Sequence, residues 1–175
     1  MFFIGIDCGL SGAVMAISDK GKFLTYFDCP TIKDIKGKKT KNEYLESQMA
    51  FQLEEILKEY GMDNCTVWIE KIHAMPKQGV SSMFKMGEGY GLWKGIVAAY
   101  KLPRHYVTPQ AWGKVLFAGM SGSDPKTKSI RRCQELFPEI PLTRPTGKVL
   151  SMNGRSDAAL IAYYGYREYL SERGR

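Results

Sequence analysis

No apolar run in this chain approaches the ~18 residues that a membrane-spanning helix requires, so a bilayer span is excluded. Its four cysteines, Cys8, Cys29, Cys65 and Cys133, are widely spaced and form no CxxC pair. That spacing argues against a zinc ribbon and against a disulfide-framed small domain. With no secretory leader either, the thiols are expected to be reduced and to serve packing in a cytoplasmic, intracellular protein. Internal repeats, low-complexity tracts and inter-domain linkers are also missing, and no GxxxxGK[ST] phosphate loop occurs.

What remains is an ordinary globular composition with a basic bias. At 175 residues the chain is expected to form one domain, residues 1–175, with a core that needs no staples. The 25 Lys+Arg outnumber the 18 Asp+Glu, giving a net charge of +7 and a pI near 9.2, which favours a polyanionic partner.

Short connections at the start predict a three-stranded antiparallel meander, with strands over 2–7, 12–18 and 23–27. Residues 31–41 break the pattern with Lys33, Lys36, Lys38, Lys39 and Lys41 and read as a basic loop. Thr40 and Glu43 fit a capping box ahead of a helical stripe of Leu45, Met49, Leu53, Ile56 and Tyr60. A strand ending at Glu70, a helix over 81–100 and a short strand over 105–107 follow. Thr108-Pro109 and Asp124-Pro125 look like N-cap and N1 pairs opening two more helices, and a last helix spans about 155–170. The expected fold class is therefore α/β, a mixed sheet of three antiparallel strands plus parallel strands, flanked by helices.

Two apolar, β-rich runs in this scheme end on a carboxylate: Phe3-Ile4-Gly5-Ile6-Asp7 and Thr66-Val67-Trp68-Ile69-Glu70. A third carboxylate, Asp157, opens a small-residue helix at Gly154-Arg155-Ser156-Asp157-Ala158-Ala159. An unpaired carboxylate at a buried strand end costs several kcal/mol or more, so a shared divalent metal is the economical explanation. Phosphodiester cleavage by two Mg²⁺ ions needs such hard oxygen ligands. Taken alone, Asp157 would more simply complement the helix dipole.

These residues carry a resemblance. Gly5-Ile6-Asp7-Cys8-Gly9 with Gly12, Ile69-Glu70, the Gly-rich segment Gly87-Glu88-Gly89-Tyr90-Gly91, and Asp157-Ala158-Ala159-Leu160-Ile161-Ala162 resemble RuvC-type Holliday junction resolvases. That family belongs to the RNase H-like nuclease superfamily, and the chain looks most like its phage-borne branch. The resemblance implies an RNase H-like fold and a homodimer that resolves four-way DNA junctions by paired nicks. It also implies Mg²⁺ as cofactor, with Mn²⁺ able to substitute, and Asp7, Glu70 and Asp157 as catalytic metal ligands. The family usually has an acidic residue or histidine shortly before the final Asp. Here Asn153 stands four residues before it and offers only a neutral oxygen.

By the same resemblance Lys114 and Lys128-Ser129 occupy positions that contact the DNA backbone near the cleaved phosphate, with Lys114 a catalytic candidate. Lys71, Lys77, Lys126, Arg131 and Arg155 complete the basic candidates for phosphate contact, although a solvated helix face explains Lys126, Lys128, Arg131 and Arg132 equally well. The 33–41 lysines read first as a solvated loop and second as a grip on a junction arm. His73, three residues past Glu70, stands where the family often stacks an aromatic on an unpaired base; a plain surface histidine is the other reading. Four glycines in one helix, Gly87, Gly89, Gly91 and Gly95, call for close approach of another backbone, within the monomer or across a two-fold axis.

Three rivals stand beside this reading. The first phosphate motif of actin-like sugar kinases resembles residues 5–12, but those enzymes need two such domains. An RNase H-like nuclease acting on other branched DNA or on RNA–DNA hybrids is a nearer rival. A junction-binding protein with weakened catalysis is the third, supported by Asn153.

Overall fold

The computed structural model describes residues 1–36, 39–73, 79–122, 124–142 and 154–174, without the side chains of 34–36 and 39–41. Strands β1 (Phe2–Ile6), β2 (Ala13–Ser18) and β3 (Phe23–Asp28) form the expected antiparallel meander. Next come β4 (Thr31–Lys36), β5 (Lys39–Tyr44) and helix α1 (Glu46–Tyr60). Strand β6 (Cys65–Glu70) then pairs parallel to β1. Helix α2 (Val80–Ala99) leads to β7 (Arg104–Val107), parallel to β6, and α3 (Pro109–Leu116), α4 (Pro125–Leu136) and α5 (Gly154–Arg173) complete the chain. The main sheet runs β3-β2-β1-β6-β7, a mixed sheet with helices on both faces, as the sequence predicts. No helix among the described residues is long and apolar enough to cross a membrane.

Strand alternation divides the core. Ile4, Ile6, Val14, Val67 and Ile69 face α1 and α2, meeting Met49, Leu53, Trp93 and Val97. Phe3, Met15 and Ile17 face the other way, onto Ala158, Ala159 and Ala162 of α5 and Cys133 and Phe137 near α4. Each fully buried Ile, Leu, Phe or Met contributes about 1.5–3 kcal/mol. All four cysteines are free and buried, in the packing role expected of them.

Helix α5 lies unusually close to the sheet. A Cβ built on Gly5 would stand 2.1 Å from the Ala158 carbonyl oxygen and 2.4 Å from the Ala162 nitrogen. Only glycine lets the strand and helix backbones touch there. The small residues after Asp157 are therefore a packing requirement.

Two expectations need correction. The basic loop expected over 31–41 is, in its described residues 31–36 and 39–41, β-structure: β4 and β5 make a separate two-stranded antiparallel ribbon, with Thr31 paired to Tyr44 and Lys36 to Lys39. The capping box is not one either, because Thr40 lies within β5 and Leu45 is the N-cap of α1, without a side-chain hydrogen bond. Glu43 instead pairs with Lys85 of α2. The charged run misled because alternation of polar residues carries no apolar face by which to recognise a strand. The Thr108-Pro109 and Asp124-Pro125 helix starts are as predicted, with Thr108 accepting from the Ala111 N–H and Asp124 from those of Lys126 and Thr127.

Candidate active site

The register of two neighbouring strands sets the site. Ile6 pairs with Ile69, so Asp7 and Glu70 leave the sheet side by side at the same edge. Glu70 also pairs with Val107, and the Lys71 N–H continues the ladder to the Val107 carbonyl at 2.7 Å. Asp157 arrives in the first turn of α5. A Cβ on Gly154 would stand 2.4 Å from both the Gly12 Cα and the Ser11 carbonyl oxygen. The helix start thus rests directly on the loop that follows Asp7.

Each carboxylate has a neutral hydrogen-bond donor from a different part of the chain. The Gly9 N–H donates to Asp7 Oδ1 at 3.1 Å. The Trp112 indole N–H, from α3, donates to Glu70 Oε1 at 3.2 Å. The Ser129 hydroxyl, from α4, donates to Asp157 Oδ1. Among the described residues no ion pair involves any of the three acids.

Burial and mutual repulsion are consequently strong. Burial first, and then the Asp157 charge, push Asp7 up to about 7 against the Gly9 N–H. Burial and then the charges of Asp7 and Asp157 push Glu70 up to about 8, with the Trp112 hydrogen bond working the other way. Burial raises Asp157 as well, opposed by Ser129 and by the nearby positive charge of Lys126. The three acids share one electrostatic neighbourhood. Among the described residues, however, no three His, Cys, Asp or Glu side chains are gathered tightly enough to grip one ion as they stand. Repulsion between like charges acts in the same sense. The chemistry of the donor set nevertheless suits a hard divalent cation: clustered carboxylate oxygens, half-buried, with no ion pair among the described residues and Lys126 as a nearby charge at Asp157 alone.

An open cleft of about 830 Å³ runs past Asp7 and Asp157, between α2 residues such as Ser82 and Lys85 and the α4 start at Pro125 and Lys126. Tyr44, the last residue of the ribbon, also lines it. Its hydroxyl lies 3.3 Å from the Cys8 carbonyl oxygen and 3.1 Å from that of Lys85, tying ribbon and helix to the loop after Asp7.

The basic candidates divide by position. Lys126 lines the cleft near Asp157. Lys128 is half-buried on α4, while Lys71, His73, Lys114 and Arg131 are exposed. Arg131 pairs with Glu135 at 3.2 Å. Lys114 lies two residues past Trp112 on α3, about 200° round the helix from the side chain that reaches Glu70. Arg155 is committed: it makes two 2.6 Å contacts to Asp28, donates to the Pro141 carbonyl and lies over the Tyr26 ring. Asn153 and Lys77 lie outside the described residues.

Sequence reasoning missed Trp112 and Tyr44, and it read Ser129 beside Lys128 as a DNA-backbone position without its hydrogen bond to Asp157. For Trp112 a signal existed: the Thr108-Pro109 cap fixes the helix phase right after the strand beside Glu70, so an inward indole N–H at the first turn would meet that carboxylate. Ser129 and Tyr44 had no comparable marker.

No family model and no curated protein matches the chain. Among solved structures it is similar to Thermus thermophilus RuvC in complex with a Holliday junction substrate, at 12% identity and a TM-score of 0.61, over 98% of this chain and 96% of that one. It is also similar to another Thermus thermophilus RuvC structure, at 15% identity and a TM-score of 0.56, over 98% and 97% of the two chains. The fold is RuvC-like, and hence RNase H-like.

Proposed function

We propose that this chain is a structure-selective DNA endonuclease that resolves four-way junctions by paired nicks, a single nuclease domain acting as a homodimer inside the cell. One observation carries the reading: Asp7, Glu70 and Asp157, remote in sequence, converge beside an open cleft, and none of them is in an ion pair among the described residues. The RuvC-like fold supports the choice of substrate, because one solved structure with that fold holds a Holliday junction.

Asp7, Glu70 and Asp157 would hold the metal, with Asn153 adding a neutral oxygen. Bound Mg²⁺, or Mn²⁺ in its place, would activate water at neutral pH and stabilise the charge of the phosphodiester under attack. The chain's own part is positioning. Lys126 at the cleft wall attracts a phosphate toward Asp157, and Lys71 and His73 stand exposed just past Glu70, where a strand leaving the site would pass. A stacked base on His73 would hold the crossover open. Lys114, Lys128 and Arg131 would contact phosphates farther out, with Lys77 beyond Glu70. A DNA contact by Arg155 would require breaking its bonds to Asp28.

The dimer reading rests on α2. Among the described residues, Gly89 is the one of its four glycines that meets a neighbour, where a Cβ would stand 2.3 Å from the Tyr44 hydroxyl, and no described residue lies within 4 Å of such a Cβ on Gly87, Gly91 or Gly95. These three share a helix face with Val80, 87% exposed, and Phe84, 71% exposed. A second copy packed along this face would cover both apolar side chains and use the glycines for close approach.

The test is incubation with Mg²⁺ of a mobile four-way junction, a linear duplex and an RNA–DNA hybrid. Symmetric nicks in the junction alone are expected. Cleavage of the hybrid would indicate a ribonuclease on the same scaffold. Binding without cutting, unrescued by Asn153→Asp, would leave a junction-binding protein.

A further inference from the structure

Trp112 and Ser129 take no direct part in the reaction outlined above, yet each is aimed at one of its acids. Trp112 is 4% exposed and packed with Val107, Leu116, Leu160 and Ile161. Phe117 meets its ring edge-on at 5.4 Å. Its backbone is set by the Thr108 cap of α3 and its indole N–H ends on Glu70 Oε1. Ser129 is 2% exposed on α4, with its hydroxyl between Ser156, at 3.1 Å, and the Asp157 carboxylate. A hydroxyl has one proton to give, and an ionised carboxylate can only accept, so that proton belongs to Asp157.

Both donors are neutral. A lysine or arginine in either place would neutralise the carboxylate and compete with a cation. An indole N–H or a hydroxyl fixes one oxygen and leaves the charge in place, with the second oxygen free to ligate. Groups behind metal ligands of this kind commonly alter metal affinity by about 10–100-fold.

We propose that Trp112 and Ser129 are positioning residues that orient Glu70 and Asp157 and thereby set the affinity of the site for divalent cations. The inference rests on the metal-dependent nuclease reading. It gives α3 and α4 a shared role, in which each helix clamps one acid against the sheet edge from outside the metal.

The experiment measures Mn²⁺ binding to the whole, DNA-free chain by the loss of the free-ion electron paramagnetic resonance signal. Trp112 is replaced by benzothienylalanine, an isostere with sulfur in place of the indole N–H, and separately by Phe. Ser129→Ala removes the hydroxyl and Ser129→Thr retains it. Mn²⁺ binding is expected to weaken about tenfold or more in the isostere and in Ser129→Ala. Ser129→Thr should recover much of the loss, and the metal-free melting temperature of the isostere should stay near that of the parent. A merely structural Trp112 would lower the melting temperature in the Phe variant while the isostere bound Mn²⁺ normally. Unchanged Mn²⁺ affinity in both the isostere and Ser129→Ala overturns the inference and leaves the nuclease reading intact, provided Glu70→Gln abolishes binding. A parent chain that binds no Mn²⁺ overturns both.

Discussion

At the scale of single residues, the site is a store of electrostatic stress. Asp7 and Glu70, raised to about 7 and about 8, hold protons in the folded chain that the unfolded chain would already have released. Their favourable contribution to stability is fully present below about pH 4 and is lost as pH rises through about 7 to 8. In chelator, the melting temperature should therefore fall between pH 5 and pH 9 by an amount corresponding to a few kcal/mol. Asp7→Asn should flatten that fall, because it removes one buried charge and relieves Glu70. Replacing Asp7, Glu70 or Asp157 by its amide should also abolish nicking while junction binding persists, since the phosphate contacts proposed above fall on other residues. Equal stability of the parent at both pH values, followed by differential scanning calorimetry, would contradict the picture of uncompensated burial. The three acids were legible in the sequence because each closed or opened an element at a position where an unpaired charge is expensive. Their neutral donors were not, apart from Trp112, because a buried Ser or Tyr in a sequence declares nothing about which distant carboxylate or carbonyl it meets.

At the scale of elements, the same glycine can be a necessity or a vacancy. Sequence alone treated Gly87, Gly89, Gly91 and Gly95 alike, because helix propensity does not say which face is occupied. The fold separates them: at Gly89 a Cβ would also stand 2.4 Å from the Cys8 carbonyl oxygen, while at the others it would meet no described residue within 4 Å. Gly89→Ala must push α2 away from the loop after Asp7 and from Tyr44. Gly91→Ala meets no described residue of its own chain and gains helix propensity, worth up to about 1 kcal/mol. Urea unfolding of dilute protein should therefore show Gly89→Ala destabilised and Gly91→Ala equal to or more stable than the parent. The reverse order would mean that α2 packs differently. The ribbon shows the opposite limit of legibility. Its lysines were visible, but its strands were not, since among its described side chains Tyr44 at its end alone is anchored in the core and hints at the pairing.

At the scale of the whole molecule, one cleft per chain cannot make two symmetric cuts. Paired nicking needs a second copy, related by a two-fold axis so that both clefts face the same crossover. The apolar, glycine-lined face of α2 is the surface on which such a partner has something to bury, and the same helix carries Ser81, Ser82 and Lys85 at the cleft wall on its other side. Phe84 is the largest side chain on that face. Phe84→Asp would place a carboxylate where the partner's own helix returns, and two such charges would meet across the axis. The variant is expected to run as a monomer in light scattering with a melting temperature near that of the parent, because Phe84 is 71% exposed in its own chain. On a supercoiled plasmid carrying an extruded cruciform, paired cuts linearise the circle, whereas unpaired cuts only relax it. The parent should give linear product directly and Phe84→Asp should give nicked circles, each acid site still intact. A monomeric variant that linearised the cruciform as fast as the parent would remove α2 from the dimer and with it the link between this face and paired cleavage.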